Sequence, residues 1–250
     1  MANYNRSQTM DSIWSYILLL IGGFIAAAVS GSAGFGGGLL LLPLLTMILG
    51  PAMAVPVLTI AQLIGNASRA ILGFRQIRWR PVLWFLLGAV PMSALGAFSF
   101  ARIPGGIITR GIGFFIVLFA VLSYFKVLDF TPGNKTMLFG GMAVGLISGL
   151  IGSAGPIGAA LFLSLNLPPV AYVASEAVTA AGMHITKSIV YQKFLDIGIN
   201  AVWIGLVMGG AMIGGTWTGK KIIERLPRET FRKVVGILLT AVGLEMMVFG

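Results

Sequence analysis

From position 12 to position 68 the chain carries no Asp, Glu, Lys or Arg. As one helix, at about 1.5 Å per residue, that run would far outreach a ~30 Å hydrocarbon core. It must fold back on itself within an apolar medium. Two interruptions say where: Gly31–Gly38 (GSAGFGGG) and Gly50-Pro51. The run therefore reads as a helix over 12–30, a short helix over 38–49, and a helix from 52 into the 70s.

The rest of the chain agrees. With 57% hydrophobic residues, 10% charged residues and a mean hydropathy of +0.96, it falls far short of the ~25% charge of soluble domains. A soluble enzyme domain and a nucleic-acid reader are excluded. The net charge of +10 does not reverse this, because the basic residues sit in short runs between apolar stretches, as cytoplasmic loops do. At ~20 residues per span, 250 residues allow about ten transmembrane segments. There is no cysteine, hence no disulfide and no thiolate site. The polar start, MANYNRSQTM, leads to no small-residue cleavage site, so no removable signal peptide is expected.

Further spans are predicted over 82–100 and 107–125, then 136–151, a short helix 157–166, 170–193, 198–218 and 234–249. The polar segment 126–135 reads as the hinge between a first membrane repeat, 1–128, and a second, 129–250. The halves match at an offset of 118: Ser30-Gly31 with Ser148-Gly149, Gly37 with Gly155, Pro51 with Pro169, Asn66 with His184, Arg69 with Lys187, and Arg75 with Lys193. If each short helix pairs with its predecessor, the halves are inverted. The segments 75–80, 126–135 and 220–233 then lie inside together and hold most of the Lys and Arg, as the positive-inside bias requires. The expected fold is all-α: a polytopic membrane protein of about ten transmembrane segments in two inverted-topology repeats. Each repeat has a short Gly-interrupted helix pair, and both termini lie outside the cytoplasm.

Inverted repeats with broken helices at matching positions point to a secondary transporter with its site near the midplane. Irregular backbone inside a membrane is tolerated where it lines a cavity. A helix that starts there offers unpaired N–H groups and a positive dipole end to an anion. The expected anion-binding residues are Ser32, Gly34, Gly36, Gly37 and Gly38 in the first motif, and Ser153, Ala154 and Gly155 in the second. Scattered glycines such as Gly88, Gly96 and Gly243 are read as helix packing. Gln62, Asn66 and Arg69 share one helix face, with counterparts Thr179, His184 and Lys187. Asn66, Arg69, His184 and Lys187 are candidate anion ligands. Arg69 and Lys187 alternatively snorkel to the headgroups. Gln62, Thr179 and Glu176 are candidates for coupling or support. Glu176 and Glu245 lie near predicted helix ends, which points to the interface. Trp79, Trp84, Tyr124, Tyr172 and Trp217 are expected in aromatic belts.

The paired motifs, SGSAGFGGGLLLLPLL at 30–45 and SGLIGSAGPIGAALFLSL at 148–165, resemble the TauE/SafE family of sulfite and organosulfonate exporters, also called anion permeases. Gly31, Gly34, Gly36, Gly37, Gly38 and Pro43 fall where that family has its glycines and proline. The second motif departs: Gly155-Pro156 stands where a glycine run is usual, and Leu161 where proline is usual. The resemblance implies outward transport of sulfite or a sulfonate such as sulfoacetate across a bacterial inner membrane. The residues alone reach only a small anion. The expected partners are that anion and the lipid bilayer, with no nucleic acid, no metal and no cofactor; a homodimer is left open. An intramembrane enzyme and a membrane scaffold are the other readings. The first lacks a nucleophile–base set, and the second gives the duplicated breaks no purpose.

Overall fold

The computed structural model describes residues 13–33, 37–100, 132–195 and 198–223, with single positions at 102, 110, 114, 117, 244 and 248. Among the described residues the regular structure is helical. The α-helices are α1 (Ile13–Ala33), α2 (Gly37–Leu49), α3 (Pro51–Leu72), α4 (Trp79–Phe100), α5 (Asn134–Ile151), α6 (Gly155–Leu163), α7 (Pro169–Phe194) and α8 (Ile199–Ile223). A 3-10 turn, Phe74–Gln76, joins α3 to α4. The spans expected over 107–125 and 234–249 lie outside the described residues, apart from those single positions that fall within them.

Local sequence explains the boundaries. Pro51 and Pro169 occupy the first turns of α3 and α7, where a fixed φ helps and the missing N–H costs nothing. α5 stops at Gly152, whose φ of +86° is cheap only for glycine. Among the described residues, five helices contain stretches long and apolar enough to cross a membrane: Trp14–Gly31, Ala52–Leu72, Trp79–Phe100, Asn134–Ile151 and Ile199–Thr218. α7 has 26 residues, about 39 Å of helix. It is the most polar of the long helices, carrying Glu176, His184, Lys187 and Lys193, and it is shielded by α3 and α4.

The polarity of the molecule is inside out. Trp14, Leu18, Ile21 and Ile25 of α1, Leu83, Leu87 and Leu95 of α4, and Trp203 and Val207 of α8 face outward. Arg69, Glu176, His184, Lys187 and Asn66 are buried. Water disfavours that arrangement; a bilayer favours it. The chain is a multi-pass membrane protein.

The fourth helix of each half packs into the other half. The most extensive helix pairings are α4 with α5 and α1 with α8. One core joins Leu39, Leu42, Val55 and Leu58 to Ile204, Met208 and Met212 of α8. The other joins Phe85 and Ala89 of α4 to Met137, Val144, Phe162 and Met183. Small residues permit the close approach. A Cβ on Gly149 would lie 2.6 Å from the carbonyl oxygen of Ser93, and one on Gly31 would lie 2.9 Å from that of Thr216. Gly88 and Gly96 likewise lie against α5 backbone, as packing glycines should. Trp79, Trp84 and Trp217 are exposed, as belt residues would be, but Tyr172 is only 6% exposed. Tyr172 belongs to the interior, because α7 is shielded along the face that carries it. Tyr124 and Gly243 lie outside the described residues.

Candidate functional site

α1 ends at Ala33 and α2 starts at Gly37, while α5 ends at Ile151 and α6 starts at Gly155. These two breaks meet. A Cβ placed on Gly38 would lie 2.8 Å from Ser153 Oγ and 3.2 Å from Gln62 Nε2. Between them lies a cavity of about 30 Å³. Gly37, Gly38, Ala154 and Gly155 line it together with Ser153, Ser30 and Ser148. Gln62, Asn66, Arg69, Glu176, His184, Ala180 and Met183 complete the wall. The starts of α2 and α6 therefore border one polar void, toward which the positive ends of two helix dipoles are set.

The polar side chains form an ordered relay on α3. Arg69 Nη1 donates to the carbonyl oxygen of Ser30 at 3.2 Å, and Arg69 Nη2 donates to Asn66 Oδ1. Asn66 Nδ2 donates to the Gln62 carbonyl oxygen at 2.8 Å and lies 3.4 Å from Gln62 Oε1. Arg69 Nη1 also faces Glu176 Oε2 of α7 at 3.9 Å, an ion pair beyond hydrogen-bond length.

Lys187 is fully buried and held differently. Its Nζ donates to Ser148 Oγ and to the Gly152 carbonyl oxygen, both at 2.9 Å, and to the Ser148 carbonyl oxygen at 3.3 Å. Arg69 and Lys187 thus each reach the carbonyl of a serine 39 residues earlier, and both pairs stand 118 positions apart. Among the described residues, the buried ions are Arg69, Lys187 and Glu176. Two cations to one carboxylate leave one formal positive charge among the buried side chains. A second cleft, about 160 Å³, opens between α1 and α8; none of its lining residues, among them Leu19, Trp203 and Met208, is charged.

A model of the family described as sulfite exporter TauE/SafE matches residues 19–246, spanning both breaks and nearly the whole chain. The chain belongs to the TauE/SafE family. One relative, a probable membrane transporter protein of Haemophilus influenzae, is 28% identical over 92% of this chain and 93% of its own length. Another, the probable membrane transporter protein YunE of Bacillus subtilis, is 21% identical over 94% of this chain and 98% of its own length. No solved structure matches. Membership in TauE/SafE places the chain among membrane transport proteins.

In this TauE/SafE chain the structure brings together most of the residues that the sequence singles out. Gly37, Gly38, Gln62, Asn66, Arg69, Ser153, Ala154, Gly155, Glu176 and His184 all line the one cavity. Gly34 and Gly36 lie outside the described residues, as does Glu245, and Ser32 is described only as part of the last turn of α1. Thr179 does not line the cavity; its hydroxyl donates to the Glu176 carbonyl oxygen at 2.7 Å. Lys187 is not in the wall either, its ammonium being engaged by α5 and the residue that ends it. Neither Arg69 nor Lys187 snorkels, since both are buried. Glu176 is 3% exposed and faces the protein interior, two turns into α7. Ser30 and Ser148 are legible in the sequence only as register markers of the repeat, yet they line the cavity and accept the two cations. Ala180 and Met183 give no signal there.

Proposed function

We propose that this TauE/SafE protein is a secondary transporter that exports a small sulfur-containing anion, sulfite or an organosulfonate such as sulfoacetate, by alternating access. It works as about ten segments in two inverted repeats in a bacterial inner membrane, with both termini periplasmic. The observation that carries this reading is the convergence of the α2 and α6 starts on one polar cavity, with Arg69 in its wall and a second buried cation, Lys187, behind it. Backbone amides at Gly37, Gly38 and Gly155, with Ser153, Asn66 and His184, hold the anion's oxygens. Arg69 supplies charge at the wall, and Lys187 supplies it from behind the α5 terminus. Such an environment replaces the hydration shell that the anion gives up.

One repeat rocks against the other to expose the cavity to each side in turn. Expelling one negative charge across 100 mV, negative inside, is favourable by about 2.3 kcal/mol, so efflux of a monoanion needs no coupling ion. No step makes or breaks a covalent bond. The test is a flux and thermal-shift panel on the purified full chain with sulfite, sulfate, thiosulfate, sulfoacetate, taurine and carboxylate analogues. Saturable stabilisation and flux with a sulfur oxyanion or sulfonate are expected. Stabilisation by none of them removes the proposal.

A further inference from the structure

Five buried side-chain atoms find no hydrogen-bond partner within the described structure: Gln62 Nε2, Glu176 Oε2, His184 Nδ1, Ser188 Oγ and Thr216 Oγ1. Gln62, Glu176 and His184 all line the cavity, and none of the three is more than 7% exposed. Orphaned polar atoms are rare in protein interiors and costly. Their clustering in one wall points to a ligand that satisfies them.

The chemistry of the three atoms defines that ligand. Arginine only donates, so Arg69 fixes Asn66 Oδ1 as the acceptor of the relay. That turns Asn66 Nδ2 toward Gln62 Oε1 and leaves Gln62 Nε2 as an unused donor. The Glu176 carboxylate only accepts, and its Oε2 has an ion-pair neighbour but no donor. His184 Nδ1 serves either way, according to tautomer. A guest must therefore offer an acceptor to Gln62 and a donor to Glu176. A fully deprotonated oxyanion sets a lone pair against the Glu176 carboxylate, whereas a proton on the guest converts that repulsion into a charge-assisted hydrogen bond.

Building on the anion-transport reading, we infer that this site selects an anion bearing its own hydrogen-bond donor, a small sulfur oxyanion with an O–H or N–H. Hydrogensulfite, a sulfur atom with three oxygens, meets that requirement through its proton, whereas a sulfonate without an O–H or N–H does not. Gln62 and the helix starts hold the unprotonated oxygens, and Glu176 accepts from the protonated one.

The experiment compares sulfamate with methanesulfonate, monoanions of nearly equal size. Each carries a sulfonate group; sulfamate bears an amino group where methanesulfonate bears a methyl, so the two differ in the donor. Affinities are measured by calorimetry on the full chain in detergent, with sulfite as reference. Sulfamate should bind the unaltered protein ~10–100-fold more tightly, the range of a charge-assisted hydrogen bond. Glu176→Gln should cut that ratio below about threefold, because an amide can turn a donor or an acceptor to either ligand. Equal affinities for the two ligands in the unaltered protein overturn the inference and leave the anion reading standing. Full discrimination in Glu176→Gln also overturns it, by moving donor recognition elsewhere. Binding of none of the three anions defeats the transport reading itself. If Glu176→Gln does not fold, the ligand pair on the unaltered protein decides alone.

Discussion

Lys187 Nζ lies 2.9 Å from the carbonyl oxygen of Gly152, the left-handed residue on which α5 stops. A cation at a helix C-terminus satisfies a carbonyl that the helix cannot and complements the negative end of its dipole. The contact ties α7 to the break before α6, so one side of the cavity is fixed by a residue that does not line it. Lys187→Met should leave the Gly152 carbonyl and the Ser148 hydroxyl without their partner, at a cost of about 1–3 kcal/mol per group. The expected outcome is a clearly lower melting temperature in detergent; an unchanged one would show that the contact carries no stability.

Gly38 and Gly155 both line the cavity but differ in the space around them. Gly38→Ala puts a methyl against Ser153 and Gln62, whereas a Cβ on Gly155 meets nothing within 4 Å. Anion affinity should fall at least about tenfold in Gly38→Ala, since the methyl group takes the space between Ser153 and Gln62 that the anion needs, and stay within a factor of about three in Gly155→Ala. Equal effects would place the anion away from the α2 start. Gly37 is a poorer probe, because its Cβ would lie 2.8 Å from the Ala26 carbonyl oxygen and disturb the α1–α2 contact itself.

Arg69 and Glu176 form a buried ion pair between α3 and α7. Removing one partner strands the other, at about 3–5 kcal/mol. Arg69→Met and Glu176→Gln should each destabilise the protein, and the double variant should cost less than the two together by about 1–3 kcal/mol. Additive losses in a detergent-unfolding cycle would mean that the pair does not couple the helices.

Arg75 and Lys193 stand 118 positions apart, and both are exposed. In inverted repeats these equivalents lie on opposite faces of the membrane. Arg75→Cys should label from the cytoplasmic side and Lys193→Cys from the other, in a chain with no native cysteine. Labelling of both from one side would establish parallel halves.

The duplicated glycine breaks are legible in the sequence because interrupted backbone in an uncharged run needs a cavity, and the cavity lies between them. Asn66, Arg69 and His184 are legible as polar residues spaced along apolar helices. The burial of Glu176 and Tyr172 is not legible, because their distance from Pro168-Pro169 along the helix does not say what covers them. Burial follows from what packs on a helix, and α7 is covered along the face that carries both. The role of Lys187 is hidden for a related reason: its partners are mostly backbone carbonyls, and a carbonyl leaves no mark in a sequence. The exchange of α4 and α8 between the two cores has no local signal, since both helices are uniformly apolar.

That exchange governs how the chain is assembled. Synthesis proceeds from the N-terminus, so the core built on α2 and α3 waits for Ile204, Met208 and Met212, which emerge more than a hundred residues later. Until then Arg69 and Asn66 rest in a half-walled unit, and α4 waits for α5. Neither half can mature ahead of the other. Release of a truncated product should leave an exposed polar flank within the lipid, a target for membrane quality control rather than a partly working carrier.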